Sequence, residues 1–562
     1  MRRSMSSITS LTLSWALVIA PAMGYAQERP REETTKPKTQ PSTPSATTPI
    51  QHIVVIFDEN ISFDHYFGVY PKALNPPGQP RFTALPNTPS VNGYLSTPAL
   101  LTSNPNLNPA NGTGAANPFR LNRSQALTSS QNHSYAPEQA SFDHGLMDLF
   151  PLDTGAAGGT PVLYPPVTNT KGMVMGYYDG NTVTALWNYA QHFALSDNSY
   201  NSQFGPSSPG AVNLISGQTN GISAATHGCP GSGCSLSSAE VADGQGGYTL
   251  FGDAEVLGDL CSASGSFNAS LSGTNIGNLL NTAGLTWGWF QGGFDLTITN
   301  PNGTTGCNRS TVSPVTGLTE VDYVDHHEPF QFYASTQNLS HVRPSSIAAI
   351  GTTDAANHQY DTHDFFDALA AGHLSAVSFL KPPKYQNAHP GNSSPLDEQA
   401  FVVNVINTLE QSPFWSTTAV IIAYDDSDGW YDHRQGAIIN GSFTTSDTLT
   451  STNHCGTAGT TPVLPGPNSS GLPVNGRCSP GVRTPLLVIS PWAQANYVDH
   501  TFTIQTSITR FIEDNWTLGR IGGGSFDTIA PTIDNMFNFT NPSGPPPNST
   551  TLILSPTTGL PE

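Results

Sequence analysis

The chain has 562 residues, more than the roughly 250–300 at which a single hydrophobic core stops growing, so we expect one large α/β body with insertions, or two lobes. Only 11% of the residues are charged, while 53 are glycine and 47 proline, which indicates a loop-rich globular protein rather than a helical bundle. The formal net charge is −20 and no lysine/arginine stripe exists, which argues against a nucleic-acid partner.

The N-terminus carries the pattern of an export signal. Arg2 and Arg3 precede the apolar stretch LTLSWALVIAPAM, and the small residues Gly24 and Ala26 follow at the spacing that a signal peptidase reads. We therefore predict a signal peptide over residues 1–26 and a secreted or periplasmic location; a membrane anchor is the alternative. The apolar stretch is short for a bilayer span and no other stretch is apolar enough, so we expect no transmembrane anchor.

Residues 27–49 separate this signal from the predicted folded part. The segment is rich in proline, threonine and charge and lacks hydrophobic periodicity, which predicts a disordered linker. One folded domain is expected from residue 50 to residue 562.

Strands and helices alternate along that domain. HIVVIFDEN (52–60) is an apolar, β-branched run with a polar end, which predicts a buried strand. Gly205-Pro206 interrupts the chain before a short helix, so Ser207 is expected at a helix N-terminus, a geometry that binds anions. The same reasoning predicts strands at 285–293, 374–382, 417–426 and 484–492, and helices at 182–195, 397–415 and 500–516. This alternation predicts a mostly parallel sheet flanked by helices.

The six cysteines fit the prediction of export, because an even count in an exported chain favours disulfides. Pairing between neighbours along the chain would give Cys229–Cys234, Cys261–Cys307 and Cys455–Cys478, although the sequence alone does not determine connectivity. A zinc site is the competing interpretation, but no CxxC pair or Cys/His spacing supports it. We expect a loop-rich, disulfide-containing insertion over residues 222–275.

Polar side chains follow two predicted strands where each strand ends: Glu59-Asn60 and Asp425-Asp426. Parallel strands deliver such ends to one edge of a sheet, where ligands bind. Carboxylates crowd there only with protons or a cation, and side-chain oxygens are the ligands of a hard divalent ion. The alternative is that Asp425 and Asp426 merely cap a strand-to-helix turn.

Ser207 is the candidate nucleophile beside this predicted metal site. A serine hydroxyl needs activation, which a bound metal can provide. A plain helix-capping role is the alternative, and local chemistry does not separate Ser207 from Ser208.

Several histidines lie on loops: His133, the pair His326-His327, and His389. A lone loop histidine is usually a solvated surface group. Near an oxygen-rich edge, imidazolium can donate to phosphate oxygens and protonate a leaving alkoxide. Both tasks use the protonated form, which predicts an acidic pH optimum.

Five segments resemble, in order, motifs of the bacterial phospholipase C/acid phosphatase superfamily of phosphoesterases: HIVVIFDENISFDHYFG, FGPSSPGAVNLISGQ, DHHEPFQFYAS, NAHPGNSSPLDEQ and AYDDSDGWYDH. The resemblance extends from about residue 50 to about residue 555. It implies an alkaline-phosphatase-like α/β core, so that residues 50–562 are a phosphoesterase catalytic domain, and one divalent metal ion such as Ca, Mg or Mn.

The resemblance also implies roles for individual residues. The implied metal ligands are Glu59, Asn60, Asp425 and Asp426. Ser207 matches the nucleophile, the residue after Gly-Pro, and is thereby favoured over Ser208. The implied phosphate-binding and proton-donating residues are His133, His327 and His389, with His326 as the alternative to His327.

The substrate prediction depends on one stretch. Phospholipases C of this family tend to carry Thr after Gly-Pro, followed by Pro-Asn-Arg, whereas this chain has GPSSPGAVNLISG. This resemblance favours an acid phosphatase acting on phosphomonoesters through a phosphoserine; a phospholipase C acting on phospholipids is the alternative. A non-enzymatic calcium-binding surface module would use the same oxygens, but such modules are usually all-β. A homodimer is a possible state.

Overall fold

The centre of the molecule is an eight-stranded sheet. The computed structural model describes residues 45–157, 169–224, 239–263 and 266–562, which all fall in one structural unit, residues 43–562. The strands of the sheet are β1 (His52–Asp58), β2 (Ala194–Ser196), β3 (Trp287–Gln291), β4 (Gln359–Asp361), β5 (Val377–Lys381), β6 (Thr418–Tyr424), β7 (Leu486–Ile489) and β8 (Tyr497–Asp499).

Across the sheet the strand order is β4-β3-β5-β1-β6-β7-β2-β8. In the described part of the chain every strand of this sheet runs parallel to the others except β7, which is antiparallel to β6 and β2. β1 lies between β5 and β6, and it pairs with β6 from His52 opposite Thr418 to Asp58 opposite Tyr424. The residues that follow β1 and β6 therefore emerge at the same edge.

The central strands have the composition of strands covered on both faces. All seven residues of β6 are buried, as are six of the seven in β1, and apolar β-branched side chains dominate both. The helices around the sheet are α1 (Phe63–Phe67), α2 (Tyr135–Ser141), α3 (Phe150–Asp153), α4 (Thr184–His192), α5 (Ser207–Ser216), α6 (Ile276–Ala283), α7 (Thr362–Ala370), α8 (Pro395–Glu410) and α9 (Thr506–Trp516). The predicted α/β class with a mostly parallel sheet is confirmed.

Three predicted helices differ from the structure at a boundary; the helix predicted at 397–415 ends at Glu410. The helix predicted at 182–195 ends at His192, and the chain then forms β2. The helix predicted at 500–516 begins only at Thr506, because Thr503–Ile504 pairs in parallel with Ser199–Tyr200. In the segments 182–195 and 500–516 the apolar spacing continues across the boundary, so periodicity does not mark where helix and strand meet.

Small sheets and disulfides occupy the insertions. The short strands outside the central sheet are Phe119–Arg120, Gly176–Tyr177, Ser199–Tyr200, Ile222–Ala224, Glu240–Ala242, Tyr248–Leu250, Glu255–Val256, Asn268–Leu271, Ser310–Val312, Thr319–Val321 and Thr503–Ile504. The predicted disulfides Cys261–Cys307 and Cys455–Cys478 are present. The third predicted pair, Cys229–Cys234, lies outside the described residues.

The N-terminal predictions also fall largely outside the described residues, which begin at residue 45. Within the last part of the predicted linker, the backbone N–H of Thr47 donates to the carbonyl of Asn515 at 2.7 Å. The hydroxyl of Thr48 donates to the Asn515 side chain at 2.6 Å. Contacts with the folded body thus begin shortly before residue 50. In the described ranges, no helix combines the length and apolar character that a bilayer span requires.

Helix α5 approaches the end of β6 very closely. It starts after Gly205, whose φ of 114° lies in the left-handed region, and Gly210 lies in its second turn. A Cβ added to Gly210 would stand 2.1 Å from the backbone carbonyl oxygen of Asp425. Only glycine therefore allows the N-terminus of α5 to lie against the residues that follow β6.

We expect Gly210→Ala to destabilise the protein strongly, because its methyl group would overlap the buried backbone carbonyl of Asp425. The loss should be about 3 kcal/mol, the upper end of overpacking costs, measured by urea denaturation. The control is Gly303→Ala, whose methyl group meets open space and which costs only the ~1–2 kcal/mol of a left-handed backbone. Equal losses in the two variants would contradict the close approach.

Candidate active site

Five predicted residues meet at the edge of the sheet. Glu59 and Asn60 follow β1, Asp425 and Asp426 follow β6, and Ser207 is the first residue of α5. We call these five side chains the oxygen cluster. The Ser207 hydroxyl donates to Glu59 Oε2 at 3.1 Å and lies 3.3 Å from Asp426 Oδ2. All five residues are buried, with at most 2% of their surface exposed.

The two strand ends are tied to each other through their backbones. The N–H of Asn60, a residue in the left-handed region with a φ of 53°, donates to Asp425 Oδ1 at 3.1 Å. The N–H of Asp426 donates to the same oxygen at 2.8 Å, and the N–H of Ile61 donates to the Asp426 carbonyl at 2.9 Å. These bonds fix the positions of the cluster carboxylates relative to each other.

Electrostatics in the cluster favour a bound cation. Burial and the neighbouring Glu59 carboxylate raise the pKa of Asp425. Burial also raises the pKa of Asp426 well above its usual value, although His133 acts to lower it. A positive charge placed among these carboxylates would relieve that penalty.

The donor set fits a divalent ion bound by oxygen. Asn60 Oδ1 is buried and meets no hydrogen-bond donor among the described residues. Carboxylate, amide and hydroxyl oxygens without sulfur are the ligands of Mg²⁺, Ca²⁺ and Mn²⁺. Glu59, Asn60, Asp425 and Asp426 would therefore hold such an ion, with Ser207 beside it.

Ser207 and Ser208 have different surroundings. The Ser208 hydroxyl donates to Asp253 Oδ1 at 3.0 Å and accepts from the Ala254 N–H at 3.3 Å. Pro206, not Ser207, is the N-cap residue of α5, and the side chain that accepts from the Ser208 N–H in its first turn is Asp253, at 3.0 Å. The Ser207 hydroxyl is thus turned toward the carboxylates rather than used as a cap.

Lys381 is a member of this site that the sequence analysis missed. It ends β5, next to β1, and is fully buried. Its ammonium contacts Glu59 Oε1 and lies 3.2 Å from Asp425 Oδ2. Burial acts to raise the pKa of Glu59, but the Lys381 ammonium and the His389 imidazole outweigh burial and hold that pKa below its usual value. The available signal was a lysine at the end of the predicted strand 374–382.

Within the double histidine, His327 contacts the cluster. Its Nδ1 lies 2.9 Å from Glu59 Oε1. Burial, His326 and Lys381 lower the pKa of His327 well below its usual value, which disfavours the protonated form expected from the sequence. His326 instead lies 3.7 Å from Glu255, and although burial opposes it, this carboxylate with Asp253 and Asp325 raises the pKa of His326 to about 9.

His133 and His389 lie together on another side of the cluster. Their ring centres are 6.0 Å apart, and His133 Nε2 lies 3.4 Å from the Asn60 amide nitrogen. His133 Nδ1 lies 3.2 Å from Asp428 Oδ1. Burial acts to lower the pKa of His133, but Asp426 and Asp428 raise it well above its usual value. The surroundings of His133 therefore favour imidazolium, whereas those of His327 disfavour it.

Asp428 and Asp432, which follow Asp425 and Asp426 in the chain, form hydrogen bonds that fix the loop after β6. Asp428 accepts from the Gln131 N–H at 2.8 Å and the Ser130 hydroxyl at 2.9 Å, which orients the loop containing His133. Asp432 accepts from Arg483 Nε at 3.1 Å and from the Arg434 N–H at 2.9 Å. Asp432 therefore both caps a turn and forms a buried ion pair.

Arg483 joins this loop to α1. Its guanidinium is fully buried and donates to Asp64 Oδ1 at 3.0 Å, while Asp64 Oδ2 lies 2.5 Å from His433 Nδ1. The same guanidinium stacks over the Phe63 ring, 4.4 Å from its centre. Arg483 thus connects the segment DENISFDH, which contains Asp64, with the segment YDDSDGWYDH, which contains Asp432. The sequence did not indicate this role for Arg483.

The fold and the site together define an α/β protein that gathers carboxylates, an amide and a serine at the carboxyl edge of its sheet. Residues 50–519 match the Phosphoesterase family, and the chain belongs to that family. The resemblance noted in the sequence is confirmed.

Relatives of this chain include phospholipases C. A non-hemolytic phospholipase C of Pseudomonas aeruginosa is 22% identical over 513 residues, which cover 88% of this chain and 58% of that protein. One of Burkholderia pseudomallei is 24% identical over 516 residues, covering 88% and 60%. Phospholipase C A of Mycobacterium tuberculosis is 23% identical over 537 residues, covering 91% and 81%. The chain spans less than two thirds of the length of the first two.

Solved structures with some similarity include two phosphoester-related proteins. Murine ectonucleotide pyrophosphatase/phosphodiesterase 5 has a TM-score of 0.29 and 12% identity, covering 63% of this chain and 95% of that chain. A protein in the alkaline phosphatase superfamily from Vibrio parahaemolyticus has a TM-score of 0.25 and 11% identity, covering 80% and 81%. Scores this low support no finer comparison, and the fold class stands on the sheet itself.

Arg483→Met should lower the free energy of unfolding by about 3–5 kcal/mol, because it leaves Asp64 and Asp432 buried without their cation. Lys384→Met is the control, since Lys384 and Glu320 form a partly exposed pair at 3.1 Å, which contributes about 1 kcal/mol or less. Urea denaturation of both variants measures the difference. A loss for Arg483→Met no larger than for the control would show that the buried network contributes little.

Proposed function

We propose that the protein is a metal-dependent phosphoric ester hydrolase in which Ser207 is the nucleophile and forms a phosphoserine intermediate. The observation that supports this most directly is the Ser207 hydroxyl, which lies within hydrogen-bond reach of two carboxylates at the start of α5. A cation-binding surface module would not need a serine there. The family match supports the same reaction class.

The first step is attack on phosphorus. The Ser207 hydroxyl lies 3.3 Å from Asp426 Oδ2, and burial raises the pKa of Asp426, so passing the serine proton to that carboxylate frees the serine oxygen to attack in line with the leaving alcohol. A divalent ion held by Glu59, Asn60, Asp425 and Asp426 would supply positive charge to the serine oxygen and the phosphoryl group. The positive end of the α5 dipole acts in the same direction.

The histidines handle the leaving group and the phosphoryl charge. His133 as imidazolium can hold a phosphoryl oxygen or give its proton to the leaving alcohol, with His389 beside it. The neutral His327, fixed against Glu59, acts as a positioning group. Water then cleaves the phosphoserine, which restores the Ser207 hydroxyl and releases inorganic phosphate in the case of a monoester.

For the substrate, we propose a phosphomonoester, so that the protein is an acid phosphatase. Support comes from the stretch GPSSPGAVNLISG at the nucleophile, which departs from the Thr and Pro-Asn-Arg pattern of the phospholipases C. The second candidate is a phospholipase C acting on a phosphatidylcholine-like lipid, which the names of the relatives favour. We also propose export to the periplasm or the medium, supported by two disulfides, which are rare in cytosolic proteins.

Hydrolysis of p-nitrophenyl phosphate and p-nitrophenyl phosphorylcholine, measured side by side from about pH 4 to 9, tests the proposal. We expect monoester turnover that a chelator abolishes and that falls as the pH rises through the raised pKa of the His133 imidazolium. Ser207→Ala should lower kcat at least about a thousandfold, because the nucleophile is removed. Ser208→Ala is the matched control and should retain activity.

Faster turnover of the phosphorylcholine diester would assign the phospholipase C substrate to the same site. Full activity in Ser207→Ala, or no phosphoserine in the peptide containing Ser207 after acid quenching of a turnover mixture, would contradict the proposed nucleophile.

A further inference from the structure

Lys381 places a fixed positive charge inside the group of carboxylates. Its ammonium contacts Glu59 Oε1, lies 3.2 Å from Asp425 Oδ2 and stands 5.1 Å from the centre of the Phe57 ring. The Lys381 carbonyl accepts from the Gly292 N–H at 3.0 Å, and its strand pairs with β1 and β3. Strand pairing therefore fixes the backbone of Lys381, and the two carboxylates fix its ammonium group.

The carboxylate oxygens divide into two sides. Two oxygens lie on the Lys381 side: Glu59 Oε1 and Asp425 Oδ2. His327 Nδ1 also lies 2.9 Å from Glu59 Oε1. On the Ser207 side lie Glu59 Oε2, at 3.1 Å from the Ser207 hydroxyl, and Asp426 Oδ2, at 3.3 Å from it. Glu59 presents one oxygen to each side, Oε1 to Lys381 and Oε2 to Ser207.

Each side has two carboxylate oxygens that could contact a cation. Two carboxylate oxygens bracket the ammonium of Lys381, an arrangement that two acidic side chains also use to bind a metal ion. A second metal ion placed there would meet the ammonium at close range, and like charges repel strongly where water is excluded. The chain itself thus supplies the charge that a second ion would otherwise supply.

We infer that Lys381 occupies a second cation position, between Glu59 and Asp425, and thereby restricts the oxygen cluster to one divalent ion on the Ser207 side. This inference rests on the divalent-ion site of the proposed function. Lys381 is a positioning residue here, since it acts through Glu59: by holding Oε1 it keeps Oε2 turned toward Ser207.

Metal stoichiometry tests the inference with Mn²⁺ as the probe. Chelator-treated protein is titrated with Mn²⁺, the bound metal per chain is measured by elemental analysis, and electron paramagnetic resonance reports whether ions are adjacent. Wild type should bind one ion with an uncoupled spectrum. Lys381→Met should bind two ions with an exchange-coupled spectrum, because the bracketing carboxylates lose their cation.

Two further variants serve as controls. Lys381→Arg keeps a cation at the position and should bind one ion. Lys384→Met makes the same chemical change three residues away, where Lys384 pairs with Glu320 at 3.1 Å outside the cluster, and should also bind one ion. If Lys381→Met does not fold, Lys381→Gln repeats the measurement with a neutral polar side chain, and the expectation of two coupled ions is the same.

One uncoupled ion in a folded Lys381→Met or Lys381→Gln would overturn the inference, as would two coupled ions in wild type. No bound Mn²⁺ in wild type would overturn both the inference and the metal site of the proposed function. The nucleophile is tested separately by phosphoserine at Ser207, so failure of the stoichiometry and failure of the hydrolase proposal are distinguishable.

Discussion

The parallel pairing of β1 with β6 is the constraint on which the site depends. Because Asp58 stands opposite Tyr424, the next residues of both strands emerge side by side, and both continue with acidic or amide side chains. A shift of one residue in this register would turn the side chains of β1 to the opposite faces of the sheet. The buried apolar side chains of both strands hold the register, so the core of the protein positions the chemistry at its edge.

Charge balance explains the groups around that edge. Several buried carboxylates within hydrogen-bond reach of a serine are costly unless cations surround them. The chain places Lys381 on one side and His133 on another, while the buried Asn60 Oδ1 has no hydrogen-bond partner among the described residues. A short distance away, Arg483 balances Asp64 and Asp432 and ties the two strand-end segments together.

Much of this arrangement could be predicted from the sequence. Apolar runs ending in Glu59-Asn60 and Asp425-Asp426 indicate both the strands and the cluster, and Gly205-Pro206 indicates the start of the helix that carries Ser207. Lys381 and Arg483 could not be predicted in this way, because their roles depend on strand order and on contacts between residues far apart in sequence. The protonation of His327 was likewise inaccessible, since it depends on burial and on the neighbouring Lys381. Helix starts beside short strands, as at Thr506, are set by pairing partners rather than by local periodicity.

The central claim is that the two strand ends and the start of α5 form one divalent-cation site that includes the nucleophilic serine. Anomalous diffraction from crystals of the chain soaked in Mn²⁺ tests this claim most directly. The account predicts an anomalous peak within coordination distance of Glu59, Asn60 and Asp426 side-chain oxygens and next to Ser207 Oγ. A peak elsewhere in the molecule, with none in the oxygen cluster, would contradict it.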